Sequence, residues 1–205
     1  MSVELNSQEK PLENIIVFDI ETQNTFADVS NDIKKLKVSV VSIYEYKNDT
    51  YTSFAENELK KLWPILENAD LLIGYNSEYF DIPVLNNYYL GDLSQIPHLD
   101  LLKKIKESIG RRVKLDDVAQ ATLDVSKSAD GLQAVRWWKE GKIDEIKKYC
   151  EQDVKVTKEV YDFGKENQQL FYKTFTGEAI PFAINFESKT NDSIENNNIN
   201  LTLAI

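Results

Sequence analysis

Two hydrophobic patterns alternate along the chain. Short, nearly continuous apolar runs at residues 14–20 and 70–74 are typical of strands buried on both faces of a sheet. Residues 37–46 and 50–55 alternate β-branched and aromatic positions across a polar turn, which indicates a hairpin, and 98–101 fits one more strand. Apolar positions three and four apart predict helices over residues 56–67, 81–89, 102–109, 115–123, 132–138 and 143–163. This order predicts an α/β fold with a mixed central β-sheet flanked by helices.

The same pattern predicts one domain over residues 14–168 with an extension at each end. Residues 1–13 are polar and form an N-terminal extension. The C-terminal extension, 169–205, holds three short runs that would suit edge strands: 170–175, 180–186 and 201–205. Between them, residues 191–200 contain five asparagines, which is typical of a surface tail.

Composition limits the chemistry. Cys150 is the only cysteine, so an intrachain disulfide and a zinc cluster of thiolates are excluded. His98 is the only histidine, although a nucleophilic pair of Cys150 and His98 stays open from counts alone. The net charge of -10 argues against a passive nucleic-acid binder, because affinity for a polyanion comes largely from Lys and Arg. A site of carboxylates that binds cations is compatible with this charge.

The N-terminal residues lack the basic start and apolar stretch of a secretory signal. No apolar run approaches the length needed to span a bilayer. The sequence therefore predicts a soluble, cytoplasmic protein without a membrane partner.

Two carboxylates end the first strand. Asp19 and Glu21 are two positions apart, so their side chains point to the same side of the sheet. Two like charges at the end of a buried strand are unfavourable unless a cation lies between them. The alternative is a solvated strand end. Oxygen ligands of this kind suit Mg²⁺ or Mn²⁺.

Two further segments carry acids next to the predicted elements. Asn76 follows the strand at 70–74, and Asp81 begins the next helix, where a carboxylate could equally serve only as a cap. In the long helix at 143–163, Tyr149 and Asp153 are four residues apart and share one face. Either of these could instead be an ordinary surface or half-buried position.

Together the three segments resemble the DEDD superfamily of exonucleases, which have a ribonuclease H-like fold. Asp19 and Glu21 match its Asp-x-Glu motif, and Tyr149 with Asp153 matches Tyr-x-x-x-Asp, which marks the tyrosine branch. The second motif, Gly-x-Asn followed by Phe-Asp, is matched by Gly74, Asn76, Phe80 and Asp81. The chain is similar to small prokaryotic exonucleases of this branch and, more distantly, to the proofreading domains of family B DNA polymerases.

The resemblance implies a 3′→5′ exonuclease with two divalent metal ions, Mg²⁺ or Mn²⁺. Its metal ligands and catalytic residues would be Asp19, Glu21, Asp81 and Asp153, with Tyr149 orienting the attacking water. The implied substrate is the 3′ end of single-stranded DNA, with RNA as the alternative, and the products are nucleoside monophosphates. The biological role stays open between proofreading, repair and RNA processing, and a polymerase or a repair factor is the hypothetical protein partner. Substrate contacts are expected from Thr22, Asn76, Phe80, Arg111 and Arg112.

Several other residues have two interpretations. Asp100 suits a structural role near the site better than a metal-binding one. Trp137 and Trp138 could stack on a base or pack in the core. The best candidate phosphate-binding cluster consists of Arg111, Arg112 and Lys114, and Lys147 and Lys148 form a second basic cluster. Either cluster could bind phosphate or simply be solvated.

Two other functions remain as hypotheses. A ribonuclease H-like module could bind nucleic acid or protein without cutting it, and such a module would show no saturable stabilisation by Mn²⁺. A ribonuclease H-type endonuclease would use similar metal chemistry but would release internal fragments. The tyrosine at position 149 favours the exonuclease.

Overall fold

A mixed five-stranded sheet forms the centre of the protein. The computed structural model describes residues 14–125, 131–174 and 176–186. The strands are β1 (Ile15–Thr22), β2 (Val38–Glu45), β3 (Thr50–Ala55), β4 (Leu71–Gly74) and β5 (His98–Asp100). Their order is β3-β2-β1-β4-β5; β1 is antiparallel to β2 and parallel to β4, and β4 is parallel to β5. The predicted mixed sheet is therefore confirmed.

Helices cover both faces of this sheet. They are α1 (Leu59–Glu67), α2 (Asp81–Leu85), α3 (Leu101–Ile109), α4 (Leu115–Leu123), α5 (Gly131–Lys139) and α6 (Ile143–Asn167). Short 3-10 turns lie at Ile33–Lys35, Glu56–Glu58 and Leu93–Gln95. No helix in these described ranges is long and apolar enough to cross a membrane.

Two helices are shorter than their apolar pattern predicts. The first helix starts as a 3-10 turn at Glu56–Glu58, where the Glu58 carboxylate accepts the Ala55 N–H at 3.2 Å. The second ends at Leu85, and the residues up to Tyr89 continue as hydrogen-bonded turns, in which the N–H groups of Tyr88 and Tyr89 both donate to the Leu85 carbonyl. Tyr88 Oη accepts the Val38 N–H at 3.0 Å and donates to Glu56 Oε1 at 3.1 Å.

The side chains of β1 alternate between two cores. Ile16, Phe18 and Ile20 pack on the face covered by α1 and α2. Val17 packs on the other face with residues of α3, α4 and α6. Both faces are covered, which explains the continuous apolar run. Asp19 follows Phe18, so it emerges on the α6 side of the sheet, three residues before β1 ends at Thr22.

The C-terminal runs form a separate hairpin. Strands β6 (Gln169–Lys173) and β7 (Ala179–Ala183) pair with each other in antiparallel fashion instead of joining the edge of the main sheet. The Phe171 N–H donates to Thr122 Oγ1 at 3.1 Å, which ties β6 to α4. The predicted N-terminal extension, the asparagine-rich tail at 191–200 and the run at 201–205 lie outside the described residues.

Gly74 provides a test of the turn that follows β4. A Cβ at this position would lie 2.3 Å from Ser77 Oγ and 2.5 Å from Ser77 Cβ. Ser77 is buried and its hydroxyl lies 2.8 Å from His98 Nε2, so it cannot move freely. Gly74→Ala is therefore expected to destabilise the protein by about 1 to 3 kcal/mol, measured by urea denaturation.

The control is a double-mutant cycle with Ser77→Gly, which removes both clashing atoms. Adding Gly74→Ala to the Ser77→Gly protein should then cost much less than adding it to the wild type. An equal cost in both backgrounds would show that the contact with Ser77 is not the cause.

Candidate metal centre

Three carboxylates from two elements converge at the end of β1. Asp19, Glu21 and Asp153 each offer an oxygen, and these oxygens lie within 4.8 Å of one another. The alternation of β1 directs Asp19 and Glu21 to the same side, and α6 crosses that side and supplies Asp153. The structure thus brings together three of the four acids singled out in the sequence.

The fourth acid, Asp81, is buried beside this group. It begins α2 and is 3% exposed, and its Oδ1 accepts the Ile20 N–H at 3.2 Å. Its charge raises the pKa values of both Asp19 and Glu21, so it lies close to them. Asp81 is not one of the three residues whose oxygens share the 4.8 Å group, and direct ligation by it stays a prediction.

The electrostatics of the site favour a bound cation. Burial raises the pKa of Asp19 well above its ordinary value, and the charges of Asp81, Asp153 and Glu21 raise it further. Burial likewise raises the pKa of Glu21, followed by the charges of Asp153 and Asp81, and burial raises the pKa of Asp81 to about 7. A positive ion would relieve this desolvation and repulsion.

The donor set fits a hard divalent cation. Asp19, Glu21 and Asp153 supply carboxylate oxygens, the ligands that Mg²⁺ and Mn²⁺ prefer. The mutual repulsion of these clustered acids is relieved when a cation lies between them. These three residues could therefore hold a metal ion.

Cys150 packs against the first acid, a contact that the sequence reasoning missed. Its buried Sγ lies 3.3 Å from the Asp19 carbonyl oxygen and 3.7 Å from Asp19 Oδ2. His98 lies on the other face of β1, with its ring 5.6 Å from that of Phe18. A Cys150–His98 pair is therefore ruled out. In the sequence, Cys150 lies three residues before Asp153 on the same predicted helix. This spacing puts both side chains on one helical face and could have indicated that Cys150 lies near the acids.

Tyr149 lies one turn before Asp153 on α6. Its ring is half-buried, with its centroid 6.0 Å from that of Trp137 on α5 at an interplanar angle of 66°. Trp137 and Trp138 are both partly buried against the cluster formed by α5 and α6. Packing thus accounts for both indoles, and base stacking by either stays untested.

The turn after β4 is held by Asp100. Its carboxylate accepts the N–H groups of Asn76 at 2.9 Å, Glu78 at 3.1 Å and Lys103 at 3.2 Å. Asn76 has a φ of 65°, the left-handed region that asparagine tolerates better than most residues. Asp100 is therefore structural, as its position in the sequence suggested.

Of the predicted substrate residues, Arg112 and Asn76 contact each other beside the turn after β4, whereas Thr22 and Phe80 contact other parts of the protein. Arg112 Nη2 donates to Asn76 Oδ1 at 2.6 Å, which places its guanidinium beside the turn after β4. Thr22 and Phe80 have internal contacts: the Thr22 hydroxyl donates to the Asn24 carbonyl at 2.8 Å, and Phe80 packs against Phe26 with ring centroids 5.6 Å apart.

The second basic cluster is neutralised by acids. Lys147 Nζ lies 3.3 Å from Glu58 Oε2, and Lys148 Nζ lies 3.3 Å from Glu145 Oε1. Each of the two lysines thus has an acidic partner within the protein, and neither needs a phosphate to balance its charge.

Comparison with known proteins agrees with this architecture. A family model described as RNase_H superfamily matches residues 16–163, which include all the motif residues from Asp19 to Asp153. No curated protein matches the sequence.

Among solved structures, the fold resembles that of a family B DNA polymerase from the hyperthermophilic archaeon Pyrobaculum calidifontis. The TM-score is 0.57 and the sequence identity 20%, over 76% of this chain and 25% of the polymerase. The chain thus spans about a quarter of that polymerase's length, and the likeness concerns the fold. Because the family model covers well over half of the sequence, the chain belongs to the RNase H superfamily.

Proposed function

We propose that this protein is a two-metal-ion 3′→5′ exonuclease of the tyrosine branch of the DEDD superfamily. Its substrate would be single-stranded DNA, with RNA as the alternative, and its products nucleoside monophosphates. The observation that carries the proposal is the convergence of Asp19, Glu21 and Asp153 oxygens within 4.8 Å of one another, with Asp81 buried beside them. The superfamily's nuclease fold supports the same reaction class.

The acids would hold the metals, and Tyr149 would position the water. Asp19, Glu21 and Asp153 would be direct ligands, and Asp81 would act directly or through a water. When bound, two dications supply the activation of a water and the stabilisation of the leaving 3′ oxygen. A phenol is a poor base at neutral pH, so the Tyr149 hydroxyl would orient the attacking water by a hydrogen bond. Cys150 would keep Asp19 in place through its contacts with the carbonyl and carboxylate oxygens.

Arg112 and Asn76 would meet the substrate backbone. A guanidinium is suited to phosphate because its N–H donors match the spacing of phosphate oxygens. In the structure, Arg112 Nη2 donates to the Asn76 amide oxygen. A phosphate oxygen can take the place of this amide oxygen as the acceptor. The likeness to a DNA polymerase makes DNA the first substrate to test. Proofreading or repair in the company of a polymerase would fit the same activity.

The deciding experiment follows a 5′-labelled single-stranded DNA and its RNA counterpart with Mg²⁺ or Mn²⁺. The proposal expects a ladder that shortens from the 3′ end, and no cutting of a circular single strand. Internal fragments or linearised circles would identify an endonuclease. Absence of cleavage with either metal, together with no stabilisation by Mn²⁺, would favour a binding module.

Tyr149→Phe tests the role of the hydroxyl. This change is expected to slow hydrolysis about 10- to 100-fold, because a misplaced water costs rate even when the metals are bound. Stabilisation by Mn²⁺ should stay as in the wild type. Tyr161→Phe is the matched control, since Tyr161 lies on the same helix but packs against Tyr46 and Phe186 in the other core. Equal rates in both variants would remove Tyr149 from the mechanism.

A further inference from the structure

We infer that the C-terminal hairpin, through Tyr172 and the Arg111 that it holds, forms part of the surface that binds the substrate strand. The hairpin β6–β7 lies beyond residues 16–163, the part of the chain that the superfamily model matches. The inference rests on the proposed exonuclease function and extends it to a region without an assigned role.

The hairpin holds the exposed side chain of Arg111. The guanidinium carbon of Arg111 lies 4.3 Å from the centre of the Tyr172 ring, within the range of a cation–π contact. Tyr172 in turn packs against Phe182 of β7, with ring centroids 5.9 Å apart. Arg111 is an exposed residue, so solvent and ligands still reach it. The result is an arginine stacked on a tyrosine that is itself packed against the opposite strand.

The next two residues connect this stack to the metal centre. Arg112 donates to Asn76 Oδ1 at 2.6 Å, and the Val113 carbonyl accepts from Tyr75 Oη at 2.7 Å. Tyr75 and Asn76 follow β4, and β4 runs parallel to β1, so this turn lies beside the strand end that carries the acids. The segment 111–113 is therefore held between the hairpin and the edge of the candidate active site.

The charge of this segment points to a polyanion. Arg111, Arg112 and Lys114 are exposed and occupy three of four consecutive positions in a chain of net charge -10. Asp116 and Asp117 follow in the first turn of α4, where acids complement the positive end of the helix dipole. Exposed arginines that track the backbone are a common feature of single-strand binding, since their guanidinium groups meet phosphates, and here the Tyr172 ring holds the guanidinium of Arg111 in place.

The test separates strand binding from chemistry. Fluorescence anisotropy with a labelled single-stranded oligonucleotide, in Ca²⁺ to limit cleavage, measures binding. Arg111→Gln and Tyr172→Leu are each expected to weaken it about five- to tenfold and to raise the KM for the oligonucleotide by a similar factor. For Arg111→Gln the dependence of log affinity on log salt should fall by about 0.7, the contribution of one phosphate contact on a single strand.

Two variants control for packing. Tyr172→Phe keeps the ring and should bind the strand as the wild type does. Phe171→Leu alters the neighbouring position on β6, whose side chain points to the other side of the hairpin, and should leave binding unchanged. The p-nitrophenyl ester of thymidine 5′-monophosphate has no strand upstream of the scissile phosphate, so its rate should change less than twofold in Arg111→Gln.

Unchanged oligonucleotide binding in both Arg111→Gln and Tyr172→Leu would overturn the inference. An equal loss of activity on the oligonucleotide and on the p-nitrophenyl ester would also overturn it, because that result means general damage to the fold. If the wild-type protein hydrolysed neither substrate, the exonuclease proposal would fail, and the binding comparison would still decide the role of the hairpin.

Discussion

Asp19→Asn is expected to lower the rate of 3′-end hydrolysis at least about a thousandfold. Asp19 belongs to the group of oxygens within 4.8 Å of one another and also feels the charges of all three other acids. An amide keeps the shape but loses the negative charge that binds a dication. A loss of about 4 kcal/mol of transition-state stabilisation, which is within reach of a metal-ion site, corresponds to this factor.

The same change should make the metal-free protein more stable. Burial and three neighbouring carboxylates oppose ionisation of Asp19, so a neutral side chain at this position removes an unfavourable charge. We expect the melting temperature in EDTA to rise by a few degrees, while the stabilisation by Mn²⁺ is largely lost. A metal ligand is expected to show this combination of lower activity and higher stability when it is replaced. A variant that simply misfolds would lose both activity and stability.

Glu151→Gln is the matched control for this experiment. Glu151 is exposed on α6, two residues from Asp153, and its side chain points away from the site. Its replacement should leave both the rate and the response to Mn²⁺ unchanged. More than a tenth of wild-type activity in Asp19→Asn would mean that Asp19 is not an essential metal ligand.

The sequence contained the acids of the site because their positions follow from local geometry. A strand fixes the alternation that puts Asp19 and Glu21 on one side, and a helix fixes the turn that separates Tyr149 from Asp153. Continuous apolar residues in β1 also revealed that both of its faces are covered. Both conclusions follow from the strand or helix itself and do not depend on knowing which elements pack against it.

Contacts between distant residues could not be found in this way. The burial of Asp81 depends on how α2 packs, and its pKa near 7 follows from that burial. The stack of Arg111 on Tyr172 joins a turn to a hairpin much later in the chain. Alternation predicted strands at the C-terminus but could not show that they pair with each other, because strand periodicity does not identify the neighbouring strand.

The second prediction with a large expected effect concerns the stability of the metal-free protein, which should depend on pH. The folded-state pKa values of Asp19, Glu21 and Asp81 are all raised, the last to about 7 from an ordinary value of 3.8. A raised pKa means that the folded state keeps its proton when the unfolded chain has lost it. Their contribution to stability is therefore fully present below about pH 4 and is lost as pH rises through the folded-state values.

For Asp81 alone this loss corresponds to about 3 to 4 kcal/mol between pH 4 and pH 8. Urea denaturation in EDTA across this range should show it as a difference between the wild type and Asp81→Asn, because asparagine does not titrate. Asparagine can still accept the Ile20 N–H, so the comparison isolates the proton. A constant difference between the two proteins from pH 4 to pH 8 would contradict the raised pKa.

Mn²⁺ should offset part of this loss of stability at high pH, because it binds the ionised form of the acids. At a hundred times its dissociation constant, one bound ion stabilises the folded state by about 2.7 kcal/mol, or about 5 to 10 °C in melting temperature for a chain of this size. The shift should be large at pH 8 and small at pH 5, where protons compete with the metal for the same oxygens. A shift of equal size at both pH values would place the metal away from Asp19, Glu21 and Asp153. The carboxylates that weaken the empty protein at neutral pH are thus the groups expected to give it affinity for the metal.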